Sequence, residues 1–288
     1  MIFHQYTDPS AMYRDTRDLL MVYESQNLIL LSNLILGTNG QIRTDWRDPT
    51  NWFMAAVSDD TGIQLVALMT PPYNLTLYAT RVSLIDDALQ CLIDNLDSLG
   101  VPIPGIMTEI TLARAFKRIH AQNHADSWTV NIRQRIYELT SVNPDIPKIG
   151  TLRQAQQADT TFLPGWFDGF YTDCFATPAP PNYGKKCCDL YIPNGRLYVL
   201  EIDGHPVSMA SDNRHVQTVC GISCVYTPPE FRRHGYASAC VAGLSQLTLD
   251  RGFKKCALYT DLANPISNSI YQKIGYRPVC DSVDLRLG

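Results

Sequence analysis

Residues 225 to 238 read Val225-Tyr226-Thr227-Pro228-Pro229-Glu230-Phe231-Arg232-Arg233-His234-Gly235-Tyr236-Ala237-Ser238, and their order describes a receptor for a phosphate group. An apolar strand ends at two prolines, which cannot donate to a sheet ladder and so push the chain off the sheet. A short basic loop follows, and helical patterning starts at Gly235-Tyr236, with Ala237, Cys240, Val241, Leu244 and Leu247 as the apolar face. A helix's first turn carries backbone N–H groups without internal partners and the positive end of the macrodipole. Gly235 lets a ligand approach the backbone, Ala237 keeps the next position clear, and Arg232, Arg233 and His234 add positive charge. That combination suits a phosphate or pyrophosphate.

A second segment carries polar groups at helical spacing. Asn264 is a good N-cap and Pro265 suits the first helical position. Ile266, Ile270 and Ile274 recur every four residues and predict the buried stripe. Asn264, Asn268 and Tyr271 lie at i, i+4 and i+7, hence on one shared face, either a lined groove or a solvated surface.

Together these segments resemble the GNAT superfamily of acyl-CoA-dependent N-acyltransferases over about Leu197 to Val279. The likeness rests on Arg232-x-x-Gly235-x-Ala237 after a strand, on Asn264 and Tyr271 after a strand ending at Asp261, and on Gly275-Tyr276 before a final strand. It implies acetyl-CoA as co-substrate, with Val225, Tyr226 and Thr227 offering backbone groups to the pantetheine arm. It implies that Arg232, Arg233, His234, Gly235, Tyr236, Ala237 and Ser238 cradle the pyrophosphate, and that Asn264, with Asn268 on the same face, lies along the pantetheine. Tyr271 would be the general acid on the departing thiolate, a sensible role for a phenol of pKa ~10 beside a thiol of pKa ~8.5.

The base that deprotonates an amine acceptor is not readable. The strand Thr218 to Tyr226 contains no carboxylate, which leaves Glu201, Asp261, Asp173, His205, His215 or a water chain. The acceptor itself, a small-molecule or peptide amine, is equally open. A non-enzymatic acyl-CoA-binding or sensing module is the alternative reading. A nucleotide binder of another fold is disfavoured because no Walker loop or G-x-G-x-x-G occurs.

The elements that must hold these residues follow from periodicity. In the second half, Thr151 to Phe175 reads as helix and Thr177 to Lys186, with three prolines and Gly184, as loop. Leu197 to Ile202 and Pro206 to Ala210 form a hairpin about Asp203-Gly204. Thr218 to Tyr226, Lys255 to Thr260 and Arg277 to Leu287 are strands, and Tyr236 to Asp250 and Pro265 to Lys273 are helices. The first half shows helical patterning from Met12 to Leu36, then strands Trp52 to Val57, Ile63 to Met69 and Leu75 to Tyr78. A helix Leu84 to Leu99 is followed by a helix Thr111 to His120 and a strand Trp128 to Leu139.

The two halves therefore share an element order, with Ser141 to Gly150 as a plausible linker. From hairpin glycine to helix-ending glycine is 38 residues in the first half (Gly62 to Gly100) and 48 in the second (Gly204 to Gly252). The expected architecture is an α+β fold with a mixed sheet, a tandem of two GNAT-like domains. Residues 1–145 are the degenerate one, lacking the CoA loop, and 150–288 carry the acetyl-CoA site. The first half offers Thr70-Pro71-Pro72-Tyr73-Asn74-Leu75, continuing to Arg81-Val82, where the loop should be, and neither Asn nor Tyr at the required helical positions.

Composition sets the outer bounds. The chain has 288 residues, 45% hydrophobic and 18% charged, an ordinary globular balance. A net charge of −4 argues against a nucleic-acid partner. The longest apolar run, Leu28 to Leu36, is too short to span a membrane, and the start of the chain has charges where a signal peptide needs an apolar stretch. Nine cysteines, an odd number without C-x-x-C, indicate a reduced, cytoplasmic protein with no disulfide framework and no zinc site. The oligomeric state, monomer or homodimer, is not readable.

Overall fold

The computed structural model describes residues 1–40, 51–81 and 85–288. Leu84 and Val82, placed above in the first half's helix and loop, lie outside them. The chain divides into two units. The first comprises Met1–Ile136, Asp261–Ala263 and Val279–Gly288, and the second Tyr137–Thr260 and Asn264–Pro278. These differ from the expected segments 1–145 and 150–288 chiefly in the last strand, which groups with the first unit.

Unit one contains β1 (Ile2–Tyr6), α1 (Pro9–Met21), α2 (Leu28–Thr38), β2 (Phe53–Asp59), β3 (Gly62–Met69), β4 (Leu75–Ala79), α3 (Asp86–Ser98), β5 (Gly105–Glu109), α4 (Ile110–His120) and most of β6 (Trp128–Leu139). Its sheet runs β1-β2-β3-β4-β5 and then takes β12 (Arg277–Leu287) as the antiparallel neighbour of β5. Its core is one cluster in which Leu65, Leu75, Leu89, Leu92, Ile106 and Phe116 are almost completely buried. Each such side chain contributes roughly 1.5–3 kcal/mol of burial.

Unit two repeats the order: β7 (Thr151–Gln154), α5 (Leu163–Phe175), α6 (Tyr183–Tyr191), β8 (Leu197–Ile202), β9 (His205–His215), β10 (Val219–Tyr226), α7 (Tyr236–Asp250), β11 (Lys255–Asp261) and α8 (Pro265–Ile274). Its strands lie in the order β11-β10-β9-β8-β7, with the end of β6 beside β11. One face carries α7 and α8 over Tyr198, Leu244, Leu258 and Tyr276. The other carries α5 and α6 over Leu163, Phe167, Met209 and Cys224.

The mixed α+β reading stands, with specific corrections. Thr151 to Phe175 is not one helix: Thr151–Gln154 is a strand pairing with β8, a short turn covers Gln157–Thr161, and only Leu163–Phe175 is α-helical. The expected loop through Lys186 ends early, because α6 starts at Tyr183. The helical patterning from Met12 to Leu36 resolves into two helices, α1 and α2. Ile266 is 72% exposed, so α8 buries Tyr271 and Ile274 instead of the whole isoleucine stripe.

Candidate active site

The expected phosphate loop is built where a strand is forced apart from its neighbours. β10 pairs with parallel β11 at Val219, Cys220 and Gly221, and no ladder pair continues beyond Gly221 among the described residues. On its other edge, the register with β9 shifts between Ser223 and Tyr226. Cys224, inside that shift, has φ 50°. A bulge there removes two residues from regular pairing and turns the end of the strand. Sequence reasoning did not single out Cys224, since nothing in its type announces a left-handed backbone. Its buried sulfur lies 3.9 Å from the Tyr191 hydroxyl.

The carbonyls after the bulge already have internal partners. Buried Ser208 donates to the Tyr226 carbonyl at 3.1 Å and lies 2.9 Å from the Thr227 hydroxyl. Arg232 Nε donates to the Thr227 carbonyl at 3.0 Å. Its Nη2 donates to Asp173 Oδ2 at 2.6 Å, and its guanidinium lies 5.7 Å from the Tyr226 ring centre. Arg232 thus braces the base of the loop against α5. The close packing of α5 and Tyr226 requires Gly169, where a Cβ would overlap the Tyr226 hydroxyl.

Beyond Arg232 the loop is open. Arg233 is exposed with φ 69°, and His234, also exposed, stacks on Tyr236 with ring centres 5.4 Å apart. Gly235 occupies the N-cap of α7 with φ 80°, and no side chain caps the helix. No acidic residue stands in the first turn. A Cβ at Gly235 would meet only Ile149 at 4.0 Å, so the space in front of the backbone is clear. The first-turn N–H groups of Tyr236, Ala237 and Ser238 precede the point at which intrahelical bonding starts, the Ala239 N–H donating to Gly235 O at 3.0 Å. This cradle of uncapped donors fits a pyrophosphate.

On α8, Asn264 caps the helix by accepting from the Ser267 N–H at 3.0 Å. Asn268 donates to the Asn264 carbonyl at 2.7 Å and accepts from the Tyr137 hydroxyl at 3.0 Å. Both amides therefore hold α8 in place. Tyr271 is 9% exposed and packs on Tyr137 and Tyr276, with ring centres 6.4 and 5.9 Å away. Burial, with a smaller contribution from Cys174, pushes its phenol well above the usual value, so it stays protonated across the neutral range.

The candidate bases scatter. Glu201 is tied to Arg153 at 2.7 Å, and His205 sits exposed at the β8–β9 turn against Asp203 O. Asp261 accepts from the Ala263 N–H of its own turn. His215 lies at the opposite end of β10 from the loop, beside Asp212 and Cys220. Asp173 alone among the five touches the loop, through Arg232.

Residues 161–276 match the sequence profile of the Acetyltransferase (GNAT) family. This stretch is similar to a GNAT acetyltransferase domain. Solved structures share this architecture over the whole length. An acetyltransferase from GNAT family of Colwellia psychrerythraea is 10% identical, with 100% of this chain and 99% of that one covered and a TM-score of 0.60. A Drosophila protein is 12% identical over 100% and 98%, with a TM-score of 0.67. A GCN5-related N-acetyltransferase from Sphaerobacter thermophilus is 14% identical over 92% and 93%, with a TM-score of 0.56. At such identities the likeness is one of fold. No curated protein matches the chain. Among the described residues no helix is long and apolar enough to cross a membrane, and all nine cysteines are free thiols.

Proposed function

We propose that the GNAT domain transfers an acetyl group from acetyl-CoA to an amine, and that the first unit is a degenerate GNAT-like domain without a CoA site. The carrying observation is the glycine-entered, uncapped N-terminus of α7, directly after a bulged strand, with no acid in its first turn. Arg233, His234, Gly235, Tyr236, Ala237 and Ser238 hold the pyrophosphate by backbone donors and charge, while Arg232 keeps the loop in shape. Val225, Tyr226 and Thr227 border the pantetheine arm, and Asn264 and Asn268 fix the helix beside it. The repeated order of elements in the two units supports the tandem reading.

Acetyl-CoA brings an activated thioester. The backbone N–H groups freed at the bulge polarise its carbonyl. As the acceptor nitrogen bonds to the carbonyl carbon and the carbon–sulfur bond breaks, Tyr271 gives its phenolic proton to the departing sulfur, and the proton shed by the nitrogen passes to water, from which the phenol is restored. The desolvation that raises Tyr271 also raises the basicity of a thiolate beside it, which keeps the transfer matched. The acceptor is a small-molecule or peptide amine.

One observation favours a sensing module instead: β10 holds no carboxylate, and each of the five candidate bases is engaged elsewhere or lies away from the loop. Release of free CoA from acetyl-CoA across a panel of amines separates the two readings. Amine-dependent release that Tyr271→Phe suppresses without loss of acetyl-CoA affinity establishes transfer. Tight binding with no amine-dependent release would leave the sensing module.

A further inference from the structure

At the other end of β10 from the loop, the sheet brings together three side chains that the transfer chemistry does not use. Cys220 and His215 are direct cross-strand partners, and Asp212 pairs with Ile222. Asp212 and His215 are three apart on β9, so regular alternation would put them on opposite faces. The register shift between Gly221 and Ile222 cancels that offset and turns Asp212 onto the face of His215 and Cys220. A carboxylate oxygen, an imidazole nitrogen and the thiol sulfur consequently lie within 4.8 Å of one another.

Asp212 and Cys220 are buried and His215 is half-buried, and part of their bonding capacity is unspent. Asp212 is 2% exposed, yet its Oδ1 has no hydrogen-bond partner, and neither does the buried Nε2 of His215. The Cys220 sulfur lies 3.9 Å from the Gly221 carbonyl, too far for a strong bond, and its other contact is the Thr248 side chain. Buried polar atoms are almost always satisfied, so two orphans in one cluster call for a missing partner. That partner must accept electron pairs from oxygen, nitrogen and sulfur together, which describes a cation. The second oxygen of Asp212 is held by Arg251 at 3.2 Å and faces His215 Nε2 at 3.7 Å, which fixes the carboxylate beside the imidazole. Phe253, 5.0 Å from the His215 ring, supports the imidazole.

We propose that Asp212, His215 and Cys220 form a binding site for a zinc-like divalent cation, with water in a fourth position. Mixed carboxylate, imidazole and thiolate ligation selects a borderline-soft metal over calcium or magnesium. Tetrahedral zinc with Zn–N of about 2.0 Å and Zn–S of about 2.3 Å needs ligand atoms about 3.3–3.6 Å apart, so closure takes about an ångström of side-chain movement. The dication is balanced by the Asp212 carboxylate and the Cys220 thiolate, the thiol proton leaving to solvent on binding. Six residues of extended strand, about 20 Å, separate Cys220 from Tyr226, so the ion would pin the β9–β10 end to the last turn of α7 rather than act on the acetyl group.

Cobalt(II) titrated into the reduced full-length chain tests this, because thiolate ligation gives a near-ultraviolet charge-transfer band. The expected result is one such site per chain, displaced by zinc. The band is lost in Cys220→Ser, at least ~10-fold weaker binding follows from His215→Gln, and a Cys187→Ser, Cys188→Ser double variant is unaffected. Zinc should also raise the melting temperature of the wild type and not of His215→Gln. Should Cys220→Ser fail to fold, His215→Gln, at a half-buried position, carries the test. Absence of a thiolate band in the wild type, or equal cobalt affinity in His215→Gln, overturns the proposal.

Discussion

The two units place a helix after an equivalent strand, and the helix N-termini are built in opposite ways. α3 starts with Asp86 and Asp87 in its first turn, and Asp86 is further tied to Arg118 at 2.6 Å. α7 starts with a left-handed glycine and no acid. A helix N-terminus attracts negative charge wherever it comes from. α3 carries its own, and α7 leaves the position open. The strands differ in the same sense: β4 pairs with β3 in unbroken register, whereas β10 is bulged at Cys224. Seven residues after its N-cap, α4 has Phe116 where α8 has Tyr271. The two units share an order of elements, and these differences lie in a handful of residues.

Converting the second unit toward the first should remove function stepwise. Tyr271→Phe makes that position like Phe116, and the amine-dependent rate should fall ~100-fold or more while acetyl-CoA affinity is unchanged, as steady-state rates and a binding titration will show. Ala237→Asp places an acid where α3 has Asp87 and should weaken acetyl-CoA ~10–100-fold. The same variant should melt slightly higher without ligand, because the new carboxylate complements the helix dipole by about 0.3–1 kcal/mol. A variant that weakened both binding and stability would show a packing defect instead.

The locality of that difference has its own test. Arg153 bridges Asp159 at 2.7 Å and Glu201 at 2.7 Å along the β7–β8 edge. Burial opposes ionisation of Asp159, but the Arg153 hydrogen bonds and the Gln156 N–H outweigh it and hold the carboxyl below its ordinary range. A depressed pKa contributes stability above the unfolded value, and that contribution drains as pH falls through the folded one. Arg153→Met should cost about 3 kcal/mol at neutral pH in denaturant melts and flatten the acid limb below about pH 4, with acetyl-CoA affinity intact in the folded protein. In the first unit, Asp86→Asn with Asp87→Asn should cost about 1 kcal/mol and create no acetyl-CoA site, since β4 lacks the bulge.

Much of this frame was legible because long amphipathic elements leave a strong pattern. α7, β6 and β12 have the expected bounds, and the Arg232-to-Ser238 turn sits at the start of α7. The short elements were not legible. β7 is four residues with exposed ends and no apolar alternation, so it merged with α5. β5 follows Pro102 and Pro104 and is only five residues long, and the sequence pattern assigns no element there. α6 follows a proline-rich stretch and enters through Asn182 at φ 61°, which masks its start. The polar stripe of α8 was visible as spacing, yet spacing could not tell that Asn264 and Asn268 spend their amides on the helix itself and on Tyr137. Nor does spacing show a bulge: Cys224 shapes the loop and a second shift aligns Asp212 with Cys220, both through register alone.

The central claim is that one unit of the two is equipped for acetyl-CoA. Calorimetric titration of the full chain with acetyl-CoA, beside Ala237→Asp, tests it most directly. The account predicts one site per chain in the wild type and its loss or strong weakening in the variant. Two sites per chain, no binding at all, or binding that ignores Ala237→Asp would contradict it.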